Sequence, residues 1–323
     1  MTITARTVLL AGVDLGGTKI QAVVMTRAGV VRGEARRSTP VDGGPAHVAD
    51  AIVATLRDAA ASADVDLARL RGVGVGSPGA VDAAAGTVSH ARNLPDWEGT
   101  YALARHISEA TGVPVKLDND VQVAVDAEVA LGAGKDRGSV LGVFWGTGVG
   151  GGIVLAGKPW VGRGAAGEIG HVVVRIDGRR CPCGRRGCLE AYAGRGSLEA
   201  RARKAHAKGE KTVLFELMER AGRSRLTSGV WAKALHHEDA LATRLLDDAV
   251  AALGAGVASA VNLLDVETVV IGGGLGTRLG EPMVQRIRQA MLPHLFVSDR
   301  PPDVVLAALG DLGGAIGAGL LVR

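Results

Sequence analysis

All three cysteines of the chain fall within eight residues, as Cys181, Cys183 and Cys188, and His171 stands ten residues before the first of them. An odd number of thiols packed so tightly does not read as a disulfide framework. In a reducing compartment it reads as a metal site or a reactive thiol. Three thiolates and one imidazole complete a tetrahedral set for zinc, and with no corner left for water such an ion is structural and not a catalyst. The Cys-Pro-Cys-Gly run and Gly187 allow the sharp loop such a knuckle needs. The competing reading, three unrelated buried thiols and a surface histidine, leaves the clustering unexplained.

Carboxylates stand at informative places near this cluster and elsewhere. Asp120 follows Asn119 where a strand passes into a helix, Glu168 is three residues before His171, and Glu190 is two after Cys188. Carboxylate and amide groups hydrogen-bond hydroxyls in pairs, as the ring of hydroxyls on a sugar requires. An aspartate at the end of a strand could also accept a hydroxyl proton during phosphoryl transfer. Each residue has a plainer alternative: an N-cap for Asp120, and a solvated surface for Glu168 and Glu190.

Glycine turns supply a third kind of chemistry. Phosphates are held well by backbone N–H groups, and glycine lets the backbone approach them closely. Asp14-Leu15-Gly16-Gly17-Thr18-Lys19 offers such a turn with a hydroxyl, an ammonium and a carboxylate able to order the water around Mg²⁺. Gly146-Thr147-Gly148 offers a second, and Gly272-Gly273-Gly274 follows a strand and could pass beneath an adenosine. A Gly-rich hairpin is often only a tight turn, but three at strand ends point to a nucleotide. No Walker-type Gly-Lys-Ser/Thr ending is present. The G-x-G-x-x-G at Gly146, Gly148 and Gly151 leads into a strand and not a helix, so it lacks the context of a dinucleotide fold; that at Gly74, Gly76 and Gly79 is broken by Pro78.

The elements that must position these groups follow a repeated pattern. Val8–Val13, the turn at 14–19 and Ile20–Met25 form one apolar hairpin; Val140–Trp145, the turn at 146–152 and Ile153–Leu155 form another. Helices are expected over Ala46–Ala63 and Val121–Leu131, and over most of Ser197–Leu264. Strands are expected at Gly72–Gly76, Val113–Leu117, Thr268–Ile271 and Val304–Leu309, with helices near Met283–Met291 and Leu312–Leu321. Strands alternating with helices make an α/β fold with two similar halves. The boundary is placed at Leu117, giving a small α/β domain over 1–117 joined by the C-terminal helix at about 310–323, and a large one over 118–309 that carries the cysteines.

Composition bounds the function classes. The 323 residues are 47% hydrophobic and 22% charged, with 3% aromatics, so Ala, Val, Leu and Gly must build the core. The net charge of +4 is mild for this length. A compact basic stretch, Arg175, Arg179, Arg180, Arg185 and Arg186, has no interleaved aromatics and reads as a solvated loop, not a nucleic-acid surface. After the early charge Arg6, the apolar run Val8–Val13 is too short for a secretory core or a membrane span. A cytoplasmic protein is expected.

These motifs together carry a family likeness. Asp14-Leu-Gly-Gly-Thr-Lys19, Ser77-Pro-Gly79, Asn119-Asp120, Gly146-Thr-Gly148, Glu168-Ile-Gly-His171 and Cys181-Pro-Cys-Gly-Arg-Arg-Gly-Cys-Leu-Glu190 stand in the order and at the spacing of the ROK family of sugar kinases and related repressors. The likeness covers essentially the whole chain and is strongest to bacterial ATP-dependent glucokinases. The resemblance implies an actin-like, ribonuclease-H-type duplicated fold with sugar and nucleotide in the cleft between two domains. It implies that Asp120 is the catalytic base, and that Gly79, Asn93, Asn119, Asp120, Glu168, His171 and Glu190 line the sugar pocket. Asp14, Gly17, Thr18, Lys19, Gly146, Thr147, Gly148, Gly273 and Gly274 would surround ATP and Mg²⁺, and His171, Cys181, Cys183 and Cys188 would hold the zinc. A homodimer is implied as well. After Asn119-Asp120 the family continues with small residues and an Asn, whereas this chain has Val121-Gln122-Val123-Ala124, which are expected to pack behind the aspartate. The family's repressors carry a helix-turn-helix domain before the first hairpin; with Asp14 so near the start, that class is not expected. Other hexoses, N-acylated hexosamines, polyphosphate as donor and a non-catalytic sugar-binding protein are the remaining alternatives.

Overall fold

The first apolar hairpin becomes β1 (Leu9–Leu15) and β2 (Lys19–Thr26), paired antiparallel across a turn closed by the Gly16 N–H on the Lys19 carbonyl. β3 (Val31–Ser38) extends the sheet beyond β2. Helix α1 (Gly44–Ser62) buries Val48, Ile52, Leu56 and Ala59 at helical spacing and contacts β2 and β3 with that face. β4 (Leu70–Ser77) runs parallel to β1. A small antiparallel sheet of β5 (Ala80–Asp82), β6 (Thr87–Ser89) and β7 (Thr100–Tyr101) follows. Helix α2 (Leu103–Thr111) stops at Gly112, whose positive φ of 73° ends it. β8 (Val115–Asn119) then pairs parallel with β4 and runs straight into α3 (Asp120–Leu131). The computed structural model describes residues 8–91 and 93–323, so the early charge Arg6 lies outside the described residues.

The second unit repeats the plan. β9 (Val140–Trp145), β10 (Val149–Leu155) and β11 (Lys158–Pro159) form an antiparallel ladder. The knuckle region leads into α4 (Glu190–Ala193), α5 (Arg195–His206), α6 (Leu214–Arg220), α7 (Ser228–His236) and α8 (Ala240–Leu264). β12 (Thr268–Gly272) is parallel to β9; α9 (Gly273–Met291) and β13 (Asp303–Leu306) complete the sheet. The strand orders are β3-β2-β1-β4-β8 and β11-β10-β9-β12-β13, so each sheet has an antiparallel ladder on one side and two parallel strands on the other. The two hairpins read in the sequence are the corresponding parts of two copies of one design.

With few aromatics, aliphatic side chains fill both cores. In the second unit they close around Trp145 and Trp231, both fully buried. Helix α8 is long and apolar enough to cross a membrane by length and composition, but Leu241, Leu245, Leu246, Leu253 and Val257 place one face of it in this core.

The chain then closes the first unit with α10 (Gly313–Leu320), which contacts β1, β4 and α3. The sequence places the boundary at Leu117; by packing, the chain divides between Lys135 and Asp136, and Asp311–Arg323 belongs with the first unit. The physical reason is α3, which packs on α10 and β4 and cannot leave them without exposing that interface. Gly74 makes the packing possible, since a Cβ there would run into the Ala318 carbonyl. Gly74→Ala is expected to lower stability by roughly 1–3 kcal/mol or more, the range for overpacking a closed contact. Denaturant unfolding checks this; an unchanged midpoint would mean that α10 is free to move away.

Candidate functional site

In the first unit, three parallel strands end side by side, with Asp14 paired to Gly76 and Gly76 to Asp118. Open α/β sheets bind ligands beyond such carboxyl ends, where loops are free to vary. Burial pushes the Asp14 carboxyl above its ordinary range, the Lys19 ammonium opposes this and Asp311 adds to it. A buried carboxylate that leans on one cation suits a hydrated divalent ion. Lys19 Nζ donates to Gln21 Oε1 at 2.9 Å. The Thr39 hydroxyl donates to the Gly16 carbonyl at 2.6 Å and pins the turn, while Gly17 and Thr18 stay exposed. A Cβ on Gly17 would come 2.7 Å from the Asn93 carbonyl, so this turn and Asn93 are brought together.

Gly79 has φ 93° and a Cβ there would lie 2.6 Å from the Ser89 carbonyl. The left-handed backbone and the close approach both exclude a side chain, and Gly79 draws the end of β4 against the strand that leads to Asn93. At the end of β8, Asn119 is the N-cap of α3: its Oδ1 accepts from the N–H groups of Val121 and Gln122 at 3.0 and 3.2 Å. Only its amide hydrogens remain for a ligand. Asp120 is half-buried at the first helical position, with Oδ1 accepting from Val121 N–H at 3.0 Å. Behind it, Gln122 is buried and donates to Asp126 Oδ1 at 2.7 Å. Burial lifts Asp126 to about 6, with the Gln122 bond opposing and the Asp118 charge adding. This carboxylate, one and a half turns after Asp120, carries no signal in the sequence because only burial distinguishes it from a helix-surface aspartate.

In the second unit, the turn after β9 is closed by the Gly146 N–H on the Gly148 carbonyl at 3.0 Å. Glu190 lies directly beneath it. Its Oε2 accepts from Val149 N–H at 3.0 Å, and a side chain on Gly148 would run into it. Trp145 Nε1 donates to the Ala193 carbonyl at 2.6 Å, which fixes α4, and so Glu190, against β9. Gly273, at φ 79°, turns the chain from β12 into α9 against the Trp145 backbone. The expected glycine loop at 272–274 is thus the start of a helix, whose N–H groups face forward as an anion site requires. The chain meets the expected Met283–Met291 helix as the part of α9 beyond a kink at Gly280.

The four knuckle residues converge. Their donor atoms all lie within 4.8 Å of one another. Cys183 Sγ is 3.8 Å from Cys188 Sγ, and Cys181 Sγ is 3.9 Å from His171 Nδ1. Ligands at zinc–sulfur bond length sit about 3.8 Å apart on a tetrahedron, so the set fits that ion. Backbone bonds from Cys181 N–H to Arg185 and from Gly187 N–H to Arg179 close the loop, and Gly187 holds φ 84°. Burial pushes the Cys181 thiol up to about 12; at Cys183 burial acts the same way, but the Arg185 N–H and the neighbouring thiols outweigh it and bring the thiol down to about 7. His171 turns Nδ1 to the thiols and Nε2 toward Glu168, 3.8 Å from its Oε2. Glu190 Oε1 is 3.9 Å from Cys181 Sγ, so Glu190 spans from the knuckle to the glycine turn. The arginines at 175, 179, 180, 185 and 186 are exposed around the knuckle; Arg175 and Arg179 lie over the Tyr192 ring.

Sequence reasoning missed Arg195, which opens α5 beside the turn and donates from Nη2 to Thr147 Oγ1 at 2.8 Å. An arginine at a helix start reads as surface, and only the fold brings it to Thr147.

Residues 10–323 match the sequence profile of the ROK family. The chain is 32% identical over 319 residues to a glucokinase of Thermotoga maritima, covering 97% of each chain. It is 30% identical over 319 residues to the N-acetylgalactosamine kinase AgaK of a Shewanella species, covering 96% of this chain and 95% of that one. Its structure is similar to that of a ROK family glucokinase from Streptomyces griseus in complex with glucose and AMPPNP, with a TM-score of 0.83, 33% identity and coverage of 97% and 98% of the two chains.

Proposed function

The chain belongs to the ROK family and has the actin-like fold of its sugar kinases, and on that premise we propose that it moves the terminal phosphoryl group of ATP onto a hexose, glucose to glucose 6-phosphate first. The observation that carries the reading is the corner at Asn119–Asp120. The capping of α3 falls to Asn119, so Asp120 is not held there as the N-cap. A sugar hydroxyl is a poor nucleophile, and a carboxylate at that corner orients it and takes its proton as the new O–P bond forms. Asn93, the Asn119 amide and the backbone at Gly79 hold the acceptor on the same unit. The family likeness adds Glu168, Glu190 and the Nε2 edge of His171 as further groups proposed to bind sugar hydroxyls.

The nucleotide is assigned to the turns at Asp14–Lys19 and Gly146–Gly148 and to the start of α9 at Gly273 and Gly274. Asp14 would hold the water shell of Mg²⁺, which neutralises phosphate charge when bound. His171, Cys181, Cys183 and Cys188 would hold a structural Zn²⁺ that fixes the knuckle. The similarity to an N-acetylgalactosamine kinase keeps N-acylated hexosamines as the second acceptor class. A cytoplasmic homodimer that binds no nucleic acid completes the proposal.

A coupled assay over a hexose panel, with ATP and polyphosphate as donors, tests it. ATP with Mg²⁺ is expected to support turnover, EDTA to abolish it and added Mg²⁺ to restore it. Efficient use of polyphosphate with no ATP activity would overturn the donor, and no transfer to any hexose would overturn the reading.

A further inference from the structure

We propose that Arg195 is a positioning residue for the phosphates of the nucleotide, acting through the Thr147 hydroxyl; the inference rests on the kinase reading and adds a residue to that site. Its Nη2 donates to Thr147 Oγ1 at 2.8 Å and its Nη1 to the Leu226 carbonyl at 2.9 Å. Its Nε is buried with no hydrogen-bond partner. The carboxylate nearby, Glu199, is engaged elsewhere: it accepts from Arg203 Nε and Nη2, from Arg225 Nε and from the Leu226 N–H. Two guanidinium groups therefore occupy that carboxylate, and Arg195 makes no hydrogen bond to it.

Two physical arguments turn this excess of positive charge into a ligand. Arg195 is the first residue of the twelve-residue helix α5, which has no side-chain cap. The helix dipole already makes that end positive, so a cation there is unfavourable until an anion joins it. Burial disfavours the Arg195 charge and the Arg225 charge adds to that, while the Glu199 charge opposes them. A half-buried cation with no carboxylate bonded to it is costly, and the anion that suits a glycine turn is phosphate.

The hydroxyl supplies the direction. A threonine Oγ carries one proton and two lone pairs. Because Thr147 accepts from Arg195, its own proton is left for another acceptor, and a phosphate oxygen at the turn is one. Arg195 also ties the turn to Leu226, just before α7. There Ser228 Oγ lies 3.7 Å from where a Cβ on Gly274 would stand. A single side chain thus links the Thr147 turn to the segment beside the second glycine site.

The test is calorimetric titration of Mg-ADP and of pyrophosphate, beside steady-state kinetics, on Arg195→Gln, Arg195→Lys, Thr147→Val and the Gln/Val double variant. Arg195→Gln is expected to weaken both phosphate ligands and raise the ATP KM by roughly 10–100-fold, the range for losing charged hydrogen bonds. The sugar KM should hold, and Arg195→Lys should recover part of the loss. The double variant should be little worse than Thr147→Val, because the two act as one unit. Wild-type phosphate binding in Arg195→Gln, or additive losses, would overturn the proposal. Equal damage to sugar and nucleotide in both Arg195 variants, with a lowered Tm, would overturn it in favour of a structural role. If the wild type phosphorylates no hexose yet binds pyrophosphate through Arg195, the kinase reading fails and this one stands.

Discussion

Asp120→Asn is expected to lower turnover by roughly 100- to 10,000-fold or more, the usual loss when general-base catalysis is removed. The substitution keeps the shape at the first position of α3 and takes away the proton acceptor. The helix itself should be untouched, because its cap is Asn119. The acceptor's binding should largely persist, so the loss should appear in kcat and not in the sugar KM. Thermal unfolding and a sugar titration separate the two effects. Near-wild-type turnover would remove Asp120 from the chemistry.

The second large effect is expected from the knuckle. Cys183→Ser should lose the metal, lower thermal stability and raise the sugar KM. His171 faces the thiols with one ring nitrogen and Glu168 with the other, so a metal on Nδ1 fixes the tautomer and orientation of the Nε2 edge. From the chain alone the nucleotide should be indifferent, since the glycine turns lie far from the cysteines in sequence. The structure changes that expectation. Glu190 packs against Cys181 with Oε1 and accepts from the Val149 N–H beneath the Gly146–Gly148 turn with Oε2, so a loosened knuckle should disturb that turn and the ATP KM should rise as well. Metal analysis with separate titrations of sugar and nucleotide checks this. Zinc-free protein that binds both ligands like the wild type would make the knuckle a remote staple.

Much of the candidate site was legible because its residues are constrained locally. A glycine turn, a cap and a cysteine cluster are set by neighbours within about ten positions, and each needs a particular residue type. Asp14–Lys19, Asn119–Asp120 and Cys181–Cys188 are of this kind. Helices such as α1 were legible for the same reason, since a buried face repeats every three to four residues.

What remained hidden depends on contacts between distant segments. The unit boundary moved from Leu117 to Lys135 because α10, nearly two hundred residues away, claims α3. Glu190 came beneath the Gly146–Gly148 turn, as well as beside the knuckle, because Trp145 anchors α4 to β9. Asp126 and Arg195 look like solvated charges in the sequence. By itself, the sequence determined the family, the duplicated α/β plan and the residue types at each turn, because periodicity and backbone freedom are local properties. Only the tertiary structure decided which charges are buried and which hydroxyl each one orients, because desolvation and hydrogen-bond direction arise when remote elements close on one another.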